Sequence, residues 1–125
     1  MFNKKTINTI ILWLPVFLWC AVIYYFSSIP NLKSDLPSQW DFILRKIAHI
    51  TEYAVLTFLF FRASSENLSR KKSMAYAVFF SIIYALTDEY HQLFVFGREG
   101  SIGDVFINSL GVFLAVFLIY RKVKK

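Results

Sequence analysis

An all-α membrane protein, a bundle of four transmembrane helices, is the fold this chain predicts, and three observations carry that expectation. Apolar residues make up 57% of the sequence and aromatic ones 19%, with a mean hydropathy of +0.50, too apolar for an ordinary soluble domain of 125 residues. They fall into four stretches, at about 7–26, 41–63, 74–96 and 102–120, each close to the roughly 20 residues that cross a bilayer. The charged residues gather at the edges of these stretches, and the connections are too short for a second domain, so residues 1–125 read as one unit.

The first stretch, Ile7 to Phe26, carries no charge, and Lys4 and Lys5 precede it. It is longer than the apolar region of a cleavable signal peptide, roughly 7 to 15 residues, and Ser27-Ser28-Ile29-Pro30 offers no clear A-x-A site, so a retained helix is expected. Pro15 is expected to kink it or loosen its backbone bonding. The lone cysteine, Cys20, lies inside this run and is read as packing. A proline-containing loop then leads to Ser38-Gln39-Trp40-Asp41, whose spacing predicts a capping box opening the second helix, with Trp40 in the interfacial aromatic belt. In that helix Lys46, His49, Glu52, Tyr53 and Leu56 fall within an arc of about 120° and face a common interior.

The third helix begins apolar at Met74 and turns polar at Thr87-Asp88-Glu89-Tyr90-His91-Gln92. Asp88, Glu89, His91 and Gln92 spread over about 160°, so one of the four is expected to point away from a shared pocket, and the sequence leaves open which. After Gly97-Arg98-Glu99-Gly100, Ser101 and Asp104 again have capping-box spacing. Ser101, Asp104, Asn108 and Gly111 share an arc of about 80°, with Gly111 small enough for another helix to approach closely.

Orientation follows from the basic residues. Of the 14 lysines and arginines, ten lie at the N-terminus, in the second connection and in the tail from Arg121 to Lys125, while Lys33, Arg45, Lys46 and Arg98 lie at the opposite edges. The positive-inside rule therefore puts both termini in the cytoplasm and the polar halves of helices two, three and four at the outer leaflet. Every acidic residue except Glu66 falls on that outer side. The net charge of +6 is thus a matter of membrane orientation, and no nucleic-acid partner is expected. Because an ionisable group at membrane depth costs roughly 2.5 to 3.5 kcal/mol on insertion scales, Asp88 and Glu89 need partners or water and mark the functional centre.

The pattern Lys46-x-x-His49-x-x-x-Tyr53-x-x-Leu56, then Asp88-Glu89-x-x-Gln92, then Gly97-Arg98, Ser101, Asp104, Asn108 and Gly111, resembles the VanZ-like family. The resemblance runs from about Ser28-Ile29-Pro30 to Gly111, with Phe96 standing where many relatives have proline before Gly97-Arg98. It implies a small multi-pass protein of the bacterial cytoplasmic membrane associated with resistance to teicoplanin and related lipoglycopeptides, and it implies no particular reaction.

Four readings of the polar residues stay open. They could neutralise one another as a buried network that fixes helix order. They could form an outward-facing binding site, with Arg98 and Lys46 receiving an anionic group, Asp88, Glu89 and Gln92 accepting hydrogen bonds, and Tyr53, Ser101, Asp104 and Asn108 lining the site. A lipid-linked cell-wall precursor or a lipoglycopeptide presents such groups at the outer leaflet. They could form an enzyme, with Glu89 or Asp88 as general base and His49 or His91 as acid or nucleophile on a lipid-linked substrate, although no HExxH, P-loop or nucleophile elbow is present. As a variant, His49-x-x-Glu52 and Asp88-x-x-His91 place two metal-ligand types one helical turn apart on each helix, though no cofactor is expected. Membrane lipids are the expected surroundings, and a transport role would require a homo-oligomer.

Overall fold

The computed structural model describes residues 1–29, 36–97 and 100–124, with the side chains of 123 and 124 excepted. Four helices account for nearly all of them: α1 (Lys4–Ser27), α2 (Ser38–Ser64), α3 (Arg70–Gln92) and α4 (Ile102–Lys124), and no strand occurs among the described residues. Helix α1 and the Ile102–Lys122 part of α4 are long and apolar enough to cross a membrane by length and composition. Charged and polar side chains interrupt the apolar character of α2 and α3, which are nonetheless 27 and 23 residues long.

The ends of the helices have local causes. Asn3 accepts a hydrogen bond from the Thr6 amide at 2.8 Å, and Ser69 accepts one from the Lys72 amide at 3.3 Å, each satisfying one amide that the first helical turn leaves unpaired. Ser69 also moves the start of α3 to Arg70, four residues earlier than the apolar pattern suggests. At its other end α3 stops at Gln92, not at Phe96. Leu93 to Val95 continue in turns, and Gly97 then takes a positive φ of 75°, a conformation that suits glycine and ends the helical path. The expected capping box at Ser38 does not form. Pro37 is the residue before the helix and caps nothing, while Asp41 is drawn to Arg45 Nε at 3.0 Å instead. At the start of α4 the expectation holds on one side, with Ser101 Oγ accepting from the Asp104 amide at 3.1 Å. Helix α1 is continuous through Pro15.

Helix α2 is the centre of the bundle, packing on α4, α3 and α1, whereas α1 and α4 do not meet among the described residues. Small residues permit the close approaches. Helix α3 buries Ser73, Ala77, Ser81 and Ala85 at intervals of four, a stripe that leads directly to buried Asp88, Glu89 and Gln92. A Cβ on Gly111 of α4 would overlap the Ile50 carbonyl of α2, so glycine is what lets these two backbones touch. Around this seam Val16, Ile23, Tyr53, Leu56, Ala85 and Val112 form the core. The outward faces are apolar on every helix, from Phe17 on α1 through Phe42, Ile47 and Phe58 on α2 and Phe79 and Ile83 on α3 to Phe106 and Phe113 on α4.

Three side-chain bonds tie α1 and α3 to their neighbours. The Trp19 indole donates to the Glu52 carbonyl at 2.8 Å, the Tyr84 hydroxyl donates to the Cys20 carbonyl at 2.6 Å, and the Thr57 hydroxyl donates to Ser81 Oγ at 3.1 Å. At the end opposite the acidic pair, Asn8 Nδ2 donates to Glu66 at 2.6 Å, pairing the start of α1 with the α2–α3 connection. In an apolar surround such bonds fix which faces meet, because packing among hydrocarbon side chains alone discriminates little.

Candidate functional site

The C-terminal part of α1, the N-terminal half of α2, the end of α3 and the start of α4 all lie at one end of the bundle. Asp88 is four residues from the end of α3 and Asn108 six from the start of α4, about 6 Å and 9 Å along the axes at 1.5 Å per residue. The site is therefore shallow, within reach of the helix ends.

Two layers can be distinguished. In the inner layer the Tyr53 hydroxyl, fully buried, donates to Asp88 Oδ2 at 3.1 Å. Glu89 accepts from Asn108 Nδ2 on Oε1 at 3.1 Å and from the Ser101 amide on Oε2 at 3.3 Å. Gly100 makes the second bond possible, since any side chain there would run into the Glu89 carbonyl. Lys46 forms an ion pair with Asp104, joining α2 to α4 beside this layer. The outer layer is a cavity of about 300 Å³ lined by Ile23, Phe26 and Ser27 of α1, by Arg45, Ala48, His49 and Glu52 of α2, and by Asp88 and Gln92 of α3.

The sequence places these residues by periodicity. Lys46, His49, Glu52 and Tyr53 do share a side of α2, but depth separates them: Tyr53 is completely buried, and the other three are partly exposed. On α3, Asp88, Glu89 and Gln92 turn inward, and His91 is the one that turns elsewhere. Its Nδ1 lies 3.4 Å from Ser27 Oγ and its ring stacks on Tyr24 with centroids 4.6 Å apart. Arg98 lies outside the described residues.

Two side chains that are not among the site residues expected from sequence belong to the cavity. Arg45 reaches its rim with Nε held by Asp41, and Ser27 closes it from α1. Arg45 falls inside the arc of Lys46, His49, Glu52 and Tyr53 at about 100° per residue, yet it reads first as a basic residue at the outer edge, and Ser27 as a loop residue. Lys46 itself does not line the cavity.

Three chemical features stand out. Asp88 and Glu89 are buried to 6% and 4% exposure, and among the described residues neither lies within ion-pair distance of a lysine or arginine, in contrast to Asp41 and Asp104. His49 joins them, with one ligand-type atom from each of His49, Asp88 and Glu89 within 4.8 Å of the others. Glu52 lies beside His49, its Oε2 3.9 Å from Nδ1, but outside that trio. Finally, Gln92, 3% exposed, has an amide nitrogen without a hydrogen-bond partner among the described residues, and the Asn108 carbonyl oxygen is likewise without one. Buried polar atoms in native proteins are nearly always paired, so an unpaired amide on a residue that lines a polar cavity is a group that a guest would satisfy.

Neither the curated proteins nor the solved structures contain a match to the chain. The motif residues Lys46, His49, Tyr53, Asp88, Glu89, Gln92, Asp104 and Asn108 nevertheless assemble at one end of one bundle, and the VanZ/LLP1 family matches residues 9–123, nearly the whole sequence: the chain belongs to that family.

Proposed function

We propose that this VanZ/LLP1 protein spans the bacterial cytoplasmic membrane four times, with both termini inside, and holds the polar headgroup of a lipid-linked envelope component or of a lipoglycopeptide in the cavity at its outer end. The observation that carries the reading is the polar cavity of about 300 Å³ lined in part by Gln92, a buried residue whose amide nitrogen has no partner among the described residues. Leaving such a donor unmet costs on the order of 1–3 kcal/mol, a cost that a bound acceptor removes. Around it the cavity offers an arginine for phosphate or carboxylate, two acidic side chains as acceptors for hydroxyls and amides, and apolar Ile23 and Phe26 against the hydrocarbon portion.

Four spans are supported by the apolar outer faces of α2 and α3, with Phe42, Ile47, Phe58, Phe79 and Ile83 all exposed. A soluble monomer rarely leaves patches of that extent in water. The charge distribution supports the orientation, with Arg70, Lys71 and Lys72 at the end opposite the cavity.

The test is direct binding. Purified protein in nanodiscs is titrated with a lipid-linked cell-wall precursor and, separately, with teicoplanin, and binding is compared between wild type and Gln92→Leu. The expected result is saturable binding of one of them, weakened about tenfold by a substitution worth roughly one hydrogen bond. Absence of binding to both by the wild type contradicts the reading. Turnover is the second reading, favoured by the closeness of His49 to the two carboxylates, and a changed precursor recovered from the same incubation would establish it.

A further inference from the structure

We propose that His49, Asp88 and Glu89 bind one divalent transition-metal cation at the inner wall of the cavity, beside Gln92. The first support is geometric. One donor atom from each residue already lies within 4.8 Å of the others, although the three come from two helices. Ligands at about 2.1 Å from one centre stand roughly 3 Å apart, so the three donor atoms need only draw in from that spacing to close on an ion.

The second support is charge. Asp88 and Glu89 are neighbours in sequence, both buried, and no lysine or arginine among the described residues forms an ion pair with either. Two buried carboxylates side by side repel one another, and a divalent ion compensates both at once. The third is the outer contacts. Tyr53 holds one oxygen of Asp88, while Asn108 and the Ser101 amide hold the two oxygens of Glu89. Carboxylates that ligate metals are oriented by this kind of bond, and each oxygen retains a second lone pair for the ion.

The fourth is Gln92 itself. Gln92 lines the same cavity as His49 and Asp88, and its amide nitrogen, without a partner among the described residues, would find an acceptor in a metal-bound water or a substrate oxygen. One imidazole nitrogen with two carboxylates suits manganese, iron or zinc, whereas magnesium and calcium favour sites built of oxygen. The trio differs from the pairs that helical spacing suggests: Glu89 replaces Glu52, and His91 is turned toward Ser27 and Tyr24.

The cation site goes beyond headgroup binding and does not require it, so its test uses the metal alone. Full-length protein in detergent, stripped with chelator and dialysed, is titrated with Mn²⁺ while the free-ion paramagnetic resonance signal is followed. The expected result is one saturable ion per chain, with affinity at least tenfold weaker in Asp88→Asn and in His49→Asn and unchanged in His91→Ala. Electron spin-echo modulation of the wild-type complex is expected to report a single coupled imidazole nitrogen. A nitrogen signal that survives in His91→Ala assigns the ligand to His49, the other of the two histidines, even if the Asp88 and His49 variants fail to fold. Less than a tenth of an ion per chain, equal affinity in all variants, or no nitrogen coupling would overturn the proposal. If Zn²⁺ fails to displace Mn²⁺, the assignment to a transition-metal site is equally overturned.

Discussion

Glu89 shows how much of this site is set by single atoms. Both of its oxygens act as acceptors, one toward Asn108 Nδ2 and one toward the Ser101 amide, and Asn108 keeps an unpaired carbonyl oxygen next to it. In Glu89→Gln the new amide group can donate to that oxygen after a flip of the Asn108 side chain, so the bond between α3 and α4 survives. The predicted loss of stability is small, about 1 kcal/mol or less, and is measured by thermal unfolding in detergent. By contrast Asn108→Leu strands a buried carboxylate oxygen and is predicted to cost about 2 kcal/mol or more in the same assay. The acidic pair was legible from sequence because two carboxylates interrupt an apolar run. What each oxygen bonds to was not, since the Ser101 amide is a backbone group and its approach depends on Gly100 passing close to the Glu89 carbonyl.

At the scale of helices, periodicity located the inward faces well and the boundaries poorly. The arc holding Ser101, Asp104, Asn108 and Gly111 is the face α4 presents to its neighbours, and the small residue proposed for close approach is the one that meets the Ile50 backbone. Gly111→Ala must push α2 and α4 apart because the obstacle is backbone and cannot rotate away. The variant is predicted to lose about 1–3 kcal/mol in thermal unfolding, the usual range for overpacking. Boundaries moved for reasons outside hydropathy: Ser69 starts α3 early through a hydrogen bond, and the turns after Gln92 end it before its apolar residues run out. The stripe Ser73, Ala77, Ser81, Ala85 was also present in the sequence as small residues spaced by four, and it carries the packing of α3. It lay hidden among larger apolar neighbours that point outward. Nothing in spacing alone could choose between His91 and its neighbours, because that choice rests on the ring stacking against Tyr24 of α1.

For the molecule as a whole, polarity is sorted along the bundle axis. The cavity, the acidic pair and the Lys46–Asp104 ion pair lie at one end, Glu66 and the Arg70–Lys72 cluster at the other, and the Thr57–Ser81 bond lies between them. A structural network would fix helix order equally well, but it would not need a polar cavity beside it or leave the Gln92 amide without a partner among the described residues. The central claim is that the charged site works on something outside the protein. Its most direct measurement is teicoplanin susceptibility, with vancomycin in parallel, in a sensitive Gram-positive host expressing wild type or Glu89→Gln at matched membrane levels. Because Glu89→Gln preserves the fold and removes the charge, selective protection against teicoplanin by the wild type, lost in the variant, is the predicted result; equal protection by both would contradict a working role for the Glu89 carboxylate and leave it a packing element.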